Sequence, residues 1–305
     1  MARGAETTVW VDGRRLALRN LDKPFWPEDG LTKGHMIQYY EAVAPAILPH
    51  LEGRPLVVTR YPDGIRGESF YQKNRPPGTP EWVPIWPYYS RESDRWLGFI
   101  VCRDRATLVW LANQAAVELH PWYSPCTHPE EPDFCVIDLD PMAPATFDDA
   151  REVALVLREY LERRGVRAFL KTSGATGLHV YMPLERGYTY PQTAAAVRRL
   201  ALAFVRMWPE RCTVERSVEK RGGKVYIDYL QNHMGKTLCA PYSLRPLPGA
   251  PVSCPLDWSE LAGVDPRRWN LRTVPERLRR QGDPWRGILE ERQPLELLSG
   301  DPVRV

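Results

Sequence analysis

Lysine is scarce in this chain, seven residues against 34 arginines, so each lysine marks a position where a compact ammonium stands in an arginine-rich background. Long apolar runs are missing. No stretch reaches transmembrane length, and Met1-Ala2-Arg3 opens no basic, apolar, small-residue leader, so a soluble cytoplasmic protein with no membrane partner is expected. Cysteine is sparse as well: the six, at 102, 126, 135, 212, 239 and 254, include no C-x-x-C pair. That speaks against a disulfide framework and for reduced, mostly buried thiols. Cys126-Thr127-His128 could be half of a zinc site, but no partner pair lies at ligand spacing. A net charge of only +3 excludes a basic nucleic-acid coat over the whole surface and leaves room for local basic patches. Repeats, low-complexity tracts and heptads are absent. What is present, 305 residues at 43% hydrophobic and 26% charged with thirty prolines, suits one large or two smaller globular domains with many rigid loops.

The pattern opens with a short strand pair over residues 8–19 and a helix over 33–48 that Thr32 caps and Pro45 bends in its last turn. A strand follows at 55–61. Residues 62–96, dense in Pro, Trp and Tyr, read as loop whose aromatics either latch onto the core or stack on bases. Strand and helix then alternate. Thr146-Phe147-Asp148-Asp149 is a capping box for a helix through Arg164, closed by Gly165, with Arg158, Arg163 and Arg164 on its solvated face. Strands at 167–172 and 178–184 flank a Ser-Gly-Ala-Thr-Gly turn, Thr189-Tyr190-Pro191-Gln192 caps a helix to about Met207, and 224–230 forms a further strand.

Phe134-Cys135-Val136-Ile137-Asp138-Leu139-Asp140-Pro141 runs an apolar strand into two carboxylates one residue apart. Alternation puts Asp138 and Asp140 on one face with Leu139 on the other. Like charges so held call for a cation between them or a retained proton. The bland reading is a polar strand end before a Pro turn. Asp228, within the strand Val225-Tyr226-Ile227-Asp228-Tyr229, is a third costly charge, explained either by the same cation or by a salt bridge to Arg216 or Arg221. Three aspartates around two divalent ions suit in-line nucleotidyl transfer. Between them, Lys171-Thr172-Ser173-Gly174-Ala175-Thr176-Gly177-Leu178-His179 offers two glycines whose turn lets backbone N–H groups converge on an anion, with Ser173 and His179 as further donors. Taken singly, the turn is any tight hairpin and His179 a core histidine.

The ordered blocks Glu118-Leu119-His120-Pro121-Trp122, Asp138-Leu139-Asp140-Pro141, Lys171-Thr172-Ser173-Gly174 through Gly177-Leu178-His179, Tyr226-Ile227-Asp228-Tyr229-Leu230-Gln231-Asn232 and Ala240-Pro241-Tyr242-Ser243-Leu244-Arg245 resemble the polymerase domain of bacterial DNA ligase D, of the archaeo-eukaryotic primase superfamily. The likeness runs from Leu21-Asp22-Lys23 to Pro255-Leu256-Asp257-Trp258. It implies an α+β fold, with a largely antiparallel catalytic sheet like that of RNA-recognition modules, flanked by helices. It implies a single domain over 1–305, divided into a DNA-end-binding segment (1–115), a catalytic core (116–260) and a tail on the core (261–305). The implied activity is template-dependent, DNA-directed nucleotidyl transfer onto 3′ ends at gaps and double-strand breaks in non-homologous end joining. Ribonucleotides would be preferred, with two Mn²⁺ or Mg²⁺ ions as cofactors, DNA with a 5′-phosphorylated gap or end, NTP or dNTP, Ku and a DNA ligase as partners, and a nucleoid-associated place in the cytoplasm.

Position by position, the resemblance makes Asp138, Asp140 and Asp228 metal ligands and catalytic, and His120, Thr172, Ser173, His179, Arg221 and Arg245 nucleotide contacts, Arg221 as a mobile arginine near Asp228. Lys23 and Lys33 fall where the family grips a 5′-phosphate, at a predicted helix start whose backbone N–H groups are unpaired, and Phe70-Tyr71 where an aromatic pair stacks on template. Thr176 departs from the pattern: many relatives carry Lys there, leaving Lys171 or Lys236 as the cation that could compensate. The K-x-D-G ligase motif is absent, consistent with a stand-alone polymerase or an excised domain. Two other classes fit parts of the pattern. An aspartate-nucleophile phosphatase also starts with D-x-D but wants Thr or Val where Met142 stands, and a non-catalytic single-strand binder would have no use for Asp228.

Overall fold

The computed structural model describes residues 6–91 and 93–298, so the leader question at Met1-Ala2-Arg3 lies outside the described residues. The chain forms two compact units that interleave in sequence. The first comprises Met1–Trp122, Cys239–Ser253 and Arg267–Asp283, the second Tyr123–Leu238, Cys254–Pro266 and Pro284–Val305. Contacts therefore do not divide at 115 and 260. Residues 116–121 pair into the first unit's sheet, and the tail is shared out, 267–283 to the first unit and 284 onward to the second.

In the first unit, β1 (Glu6–Val11) and β2 (Arg14–Arg19) form a hairpin whose turn residues Asp12 and Gly13 both have positive φ, the left-handed pair that a two-residue turn demands. β3 (Pro24–Trp26) and β4 (Leu31–Thr32) lead into α1 (Lys33–Leu51). Thr32 caps α1 as the sequence predicts, but the helix runs on through Pro45 and Pro49, because a face of Met36, Tyr39, Tyr40, Val43, Ala44, Ile47 and Leu51 is buried along its length. Tyr39 Oη donates to the Tyr242 carbonyl at 2.7 Å and Tyr40 Oη to that of Val117 at 2.6 Å, tying α1 to distant sequence. β5 (Leu56–Arg60), β6 (Phe70–Gln72), β7 (Ile85–Ser90), β8 (Arg95–Ile100) and, after α2 (Arg105–Asn113), β9 (Ala116–Pro121) build one sheet, ordered β6-β5-β8-β7 with β9 also on β5. The expected loop at 62–96 thus holds two strands and the start of a third. β7 carries Pro87 without penalty because it lies at the sheet edge.

In the second unit, β10 (Phe134–Asp140), α3 (Phe147–Glu162), β11 (Phe169–Thr172), β12 (Leu178–Pro183), α4 (Tyr190–Met207) and β14 (Val225–Asp228) follow the order strand-helix-strand-strand-helix-strand. With β13 (Cys212–Thr213) and β15 (Pro255–Leu256) at the edges, the sheet reads β13-β14-β10-β12-β11-β15, and each neighbouring pair of its four inner strands is antiparallel. This split arrangement is the one RNA-recognition modules use, so the α+β expectation holds. α3 starts at a Thr146–Asp149 capping box, a feature worth about 1 kcal/mol, and Gly165, just past its end, has φ +70°. Alternation gives the sheet two unlike faces. Cys135, Ile137, Leu139, Leu170, Leu178, Val180, Met182 and Ile227 make one, wholly buried. On the other, Phe134, Val136 and Tyr181 pack with Tyr123, Tyr190, Trp285 and Ile288, and then the face turns polar. All six cysteines are free thiols, five of them buried. Among the described residues no helix is long and apolar enough to cross a membrane.

Candidate active site

The polar part of that second face is a row running across the strands. Asp138 on β10 lies directly opposite Asp228 on β14 and, on its other side, opposite His179 on β12, which lies opposite Lys171 on β11. Directly opposed residues share a face with Cβ atoms about 5 Å apart, where two ionised carboxylates repel by about 3 kcal/mol at an effective dielectric of 20. Asp140, two residues on from Asp138, shares the face. Each aspartate has a partner of its own. Asp138 Oδ1 is 3.5 Å from His179 Nε2. Asp140 Oδ2 accepts from Arg221 Nη1 at 3.2 Å. Asp228 accepts from the Leu230 N–H and from Gln231 Nε2, both at 2.8 Å, and from Tyr226 Oη at 3.4 Å. Burial, reinforced by the Asp228 charge, pushes the Tyr226 hydroxyl up to about 12, so it stays a donor.

Arg221 therefore pairs with Asp140 rather than Asp228. It is held in place: Nε donates to the Glu215 carbonyl, Nη2 to that of Arg216, and the guanidinium lies 4.1 Å from the Tyr226 ring centroid. Asn232 fixes the segment after β14 by exchanging two hydrogen bonds with the Val136 backbone, at 2.8 and 2.7 Å.

The glycine turn departs from the expected anion nest. Ser173 Oγ accepts from the N–H groups of Ala175 and Gly177 at 3.1 and 3.0 Å, so those two amides face inward. Thr172 is fully buried, exchanging hydrogen bonds with Cys254 through both its N–H and its hydroxyl. Lys171, also fully buried, has its Nζ 2.7 Å from His179 Nδ1 and cannot replace a cation at the exposed turn residue Thr176. Gly177 is obligatory for space: a Cβ there would collide with the Leu139 carbonyl oxygen, between the two aspartates. Gly177→Ala is expected to cost about 3 kcal/mol, since the obstacle is backbone of a buried strand, and urea melts would check it.

In the first unit, Glu118 and His120 share a face of β9. His120 Nε2 is 3.7 Å from Glu118 Oε2 and 3.3 Å from Thr59 Oγ1, and Arg245 Nε is 2.8 Å from Glu118 Oε1. Burial opposes the Glu118 charge, but His120, Arg245 and Thr59 outweigh it and hold its carboxyl below the usual range. Among the described residues, the group of three metal-ligand side chains with donor atoms all within 4.8 Å of one another is Glu118, His120 and Cys239, not the aspartates. Arg245 already compensates Glu118, whereas Asp138 and Asp228 confront each other across a ladder.

Phe70 and Tyr71, 45% and 50% exposed, are neighbours on β6 and point to opposite faces. Tyr71 lies 5.8 Å from the His120 ring, and Phe70 lies beneath the Arg60 guanidinium at 5.1 Å. Lys23 pairs with Asp63. Lys33 is only 6% exposed and donates to the Arg19 carbonyl and to Asn113 Oδ1, both at 2.8 Å. It lines an open cavity of about 400 Å³ together with Arg15, Arg19, Asn20, Trp82 and Asn113. Burial, then the charges of Lys23, Arg60 and Arg19, lowers its pKa to about 8. The α1 amides are not available there: Lys33 and Gly34 donate to the Lys23 and Leu21 carbonyls, and His35 to Thr32 Oγ1. An anion at this cavity would be held by side chains. Sequence reasoning passed over Glu118, Asn113 and Gln231; for Glu118 the signal was there, a carboxylate two residues from His120 on one strand face.

Residues 32–285 match the family model of the LigD primase-polymerase domain. The chain is 36% identical over 273 residues to the bifunctional non-homologous end joining protein LigD of Bacillus subtilis, covering 89% of this chain and 44% of that protein. To the multifunctional non-homologous end joining protein LigD of Mycolicibacterium smegmatis it is 31% identical over 277 residues, 88% of this chain and 35% of that one. It thus spans less than half the length of these relatives. Among solved structures it is similar to the polymerase domain from Mycobacterium tuberculosis ligase D in complex with DNA, with a TM-score of 0.83 and 30% identity, over 92% of this chain and 99% of that one.

Proposed function

The chain belongs to the LigD primase-polymerase domain family, and from that premise we propose that it adds nucleotides to the 3′ ends of gapped or broken DNA under template direction. The observation that carries this reading is the confrontation of Asp138 with Asp228 across adjacent strands, Asp140 beside them, in the sheet the family shares. The three carboxylates would hold two divalent ions, Mn²⁺ or Mg²⁺. Held there, the ions would supply Lewis acidity toward the attacking 3′-hydroxyl and the triphosphate. Asp138, Asp140 and Asp228 fix where that chemistry happens. Arg221 compensates Asp140 and sits ready to exchange that carboxylate for a phosphate oxygen. Ser173 and His179 offer hydroxyl and imidazole donors beside the carboxylates, and His120 and Arg245 are assigned to the nucleotide by family resemblance.

Lys23 and Lys33 are assigned to the 5′-phosphate at the far side of a gap, and Phe70 and Tyr71 to template bases. A preference for ribonucleotides, a place on nucleoid DNA, and cooperation with Ku and a ligase complete the proposal. The phosphatase reading lapses with the family match. The test is extension of a gapped, 5′-phosphorylated duplex with each ribo- and deoxyribonucleotide and with Mn²⁺ or Mg²⁺. Template-matched incorporation is expected, strongest with ribonucleotides. Failure to incorporate under any combination would overturn the assignment.

A further inference from the structure

Lys171 is an unusual resident for the middle of a sheet. It has no exposed surface, sits on the inner strand β11, and directs its ammonium to His179 Nδ1 at 2.7 Å. Its Nζ also lies 5.7 Å from the centroid of the Tyr181 ring, on the same sheet face. Burying an ammonium costs several kcal/mol unless its environment is arranged to receive it. Two strands away along the same row stands Asp138, about 10 Å off at the usual strand spacing, with Asp228 beyond. The row therefore reads cation, imidazole, carboxylate, carboxylate.

We propose that Lys171 is a positioning residue that fixes the ring of His179 as its Nε2–H tautomer, aimed at the carboxylate and triphosphate side of the site. An ammonium has donors only, so the nitrogen facing it must accept, and a neutral imidazole that accepts at one nitrogen carries its proton on the other. Nε2 is the atom 3.5 Å from Asp138 Oδ1. The ring cannot flip without setting a C–H against the ammonium. His179 thus presents one N–H, in one direction, from a buried position, and donates it to whichever oxygen reaches that point, the Asp138 carboxylate or a phosphate oxygen of the incoming nucleotide. Tethering to a neighbouring strand in register, rather than to a loop, is what keeps the direction fixed.

The part of this inference that concerns the nucleotide rests on the polymerase reading; the tautomer does not. The experiment is nitrogen NMR of protein labelled at its six histidines, with His179→Gln identifying the His179 ring signals. The wild type, without substrate, should show His179 as a single Nε2–H tautomer. Lys171→Met, which keeps the length of the stem and removes the donor, should give a mixture or the Nδ1–H form. The same variant should raise the apparent KM for nucleotide about tenfold, as expected for losing one aligned hydrogen bond to a charged group, with a smaller change in kcat. An Nδ1–H ring in the wild type would overturn the proposal, as would an unchanged tautomer and KM in Lys171→Met. Should that variant fail to fold, the wild-type spectrum alone decides. A wild type with the expected ring signal that extends no primer would refute the polymerase reading and leave the tautomer assignment standing.

Discussion

Asp138→Ala is expected to lower primer extension by at least about a thousandfold while leaving thermal stability unchanged or slightly raised. The two halves of that result have one cause. Asp138 directly faces Asp228, and the pair repels by about 3 kcal/mol at an effective dielectric of 20, so deleting one member relieves the fold of a like charge. Chemistry loses a cation ligand at the same stroke. Asp138→Asn keeps the shape and a partner for His179 while removing the charge, and should be as inactive as alanine. Single-turnover extension together with a thermal melt checks both variants. Activity within about tenfold of wild type would mean that the aspartates do not hold the catalytic ions, and a large drop in melting temperature would mean that Asp138 is structural.

A 5′-phosphate on the downstream strand is expected to tighten binding to a gapped duplex by at least about tenfold, roughly 1.4 kcal/mol, and only within a window of pH. The lower edge comes from the ligand: a terminal phosphate gains its second charge near pH 6. The upper edge comes from Lys33, whose pKa is lowered by burial and by nearby cations to about 8. Below that value Lys33 is an ammonium with two of its three hydrogens engaged by Arg19 and Asn113; above it the charge is lost. The phosphate preference should thus fall as pH rises past about 8, the bound anion moving the edge upward. Lys23→Ala, at the surface, should shrink the preference with little loss of stability, whereas Phe70→Ala should weaken phosphorylated and unphosphorylated duplexes alike. Equal affinity of the wild type for both ends, at one fixed salt concentration, would remove end recognition from the account and leave the polymerase chemistry intact.

β10 was legible because a run of four apolar residues ends in two carboxylates one residue apart, and the helices after it because Thr146 and Thr189 begin capping boxes. Local rules act there at short range. β7 and β8 were hidden because Pro87 and clustered aromatics imitate a loop, and only a place at a sheet edge makes that proline tolerable. The aspartates could be named from spacing, but the confrontation of Asp138 with Asp228 depends on a register between strands about ninety residues apart. Burial was not legible at Thr172 and Lys33: the pairing of Thr172 with Cys254 and the place of Lys33 beneath the surface are facts that only packing decides.

The interleaving of the two units sets a timetable for synthesis. The first unit begins with Met1–Trp122 yet is completed by Cys239–Ser253 and Arg267–Asp283. At roughly 5–20 residues per second, a ribosome needs about 10–30 s to pass from the end of the first of these segments to the end of the last. Throughout most of that interval the hydroxyl of Tyr39 has no Tyr242 to receive it, and Tyr40, whose hydroxyl accepts from the Leu244 N–H, lacks that donor. The side of α1 that will meet the late segments emerges long before they do, and it must stay solvated or be sheltered by a chaperone. A gene cut anywhere between the codons of Trp122 and Tyr242 would leave this half of the protein permanently at that unfinished stage.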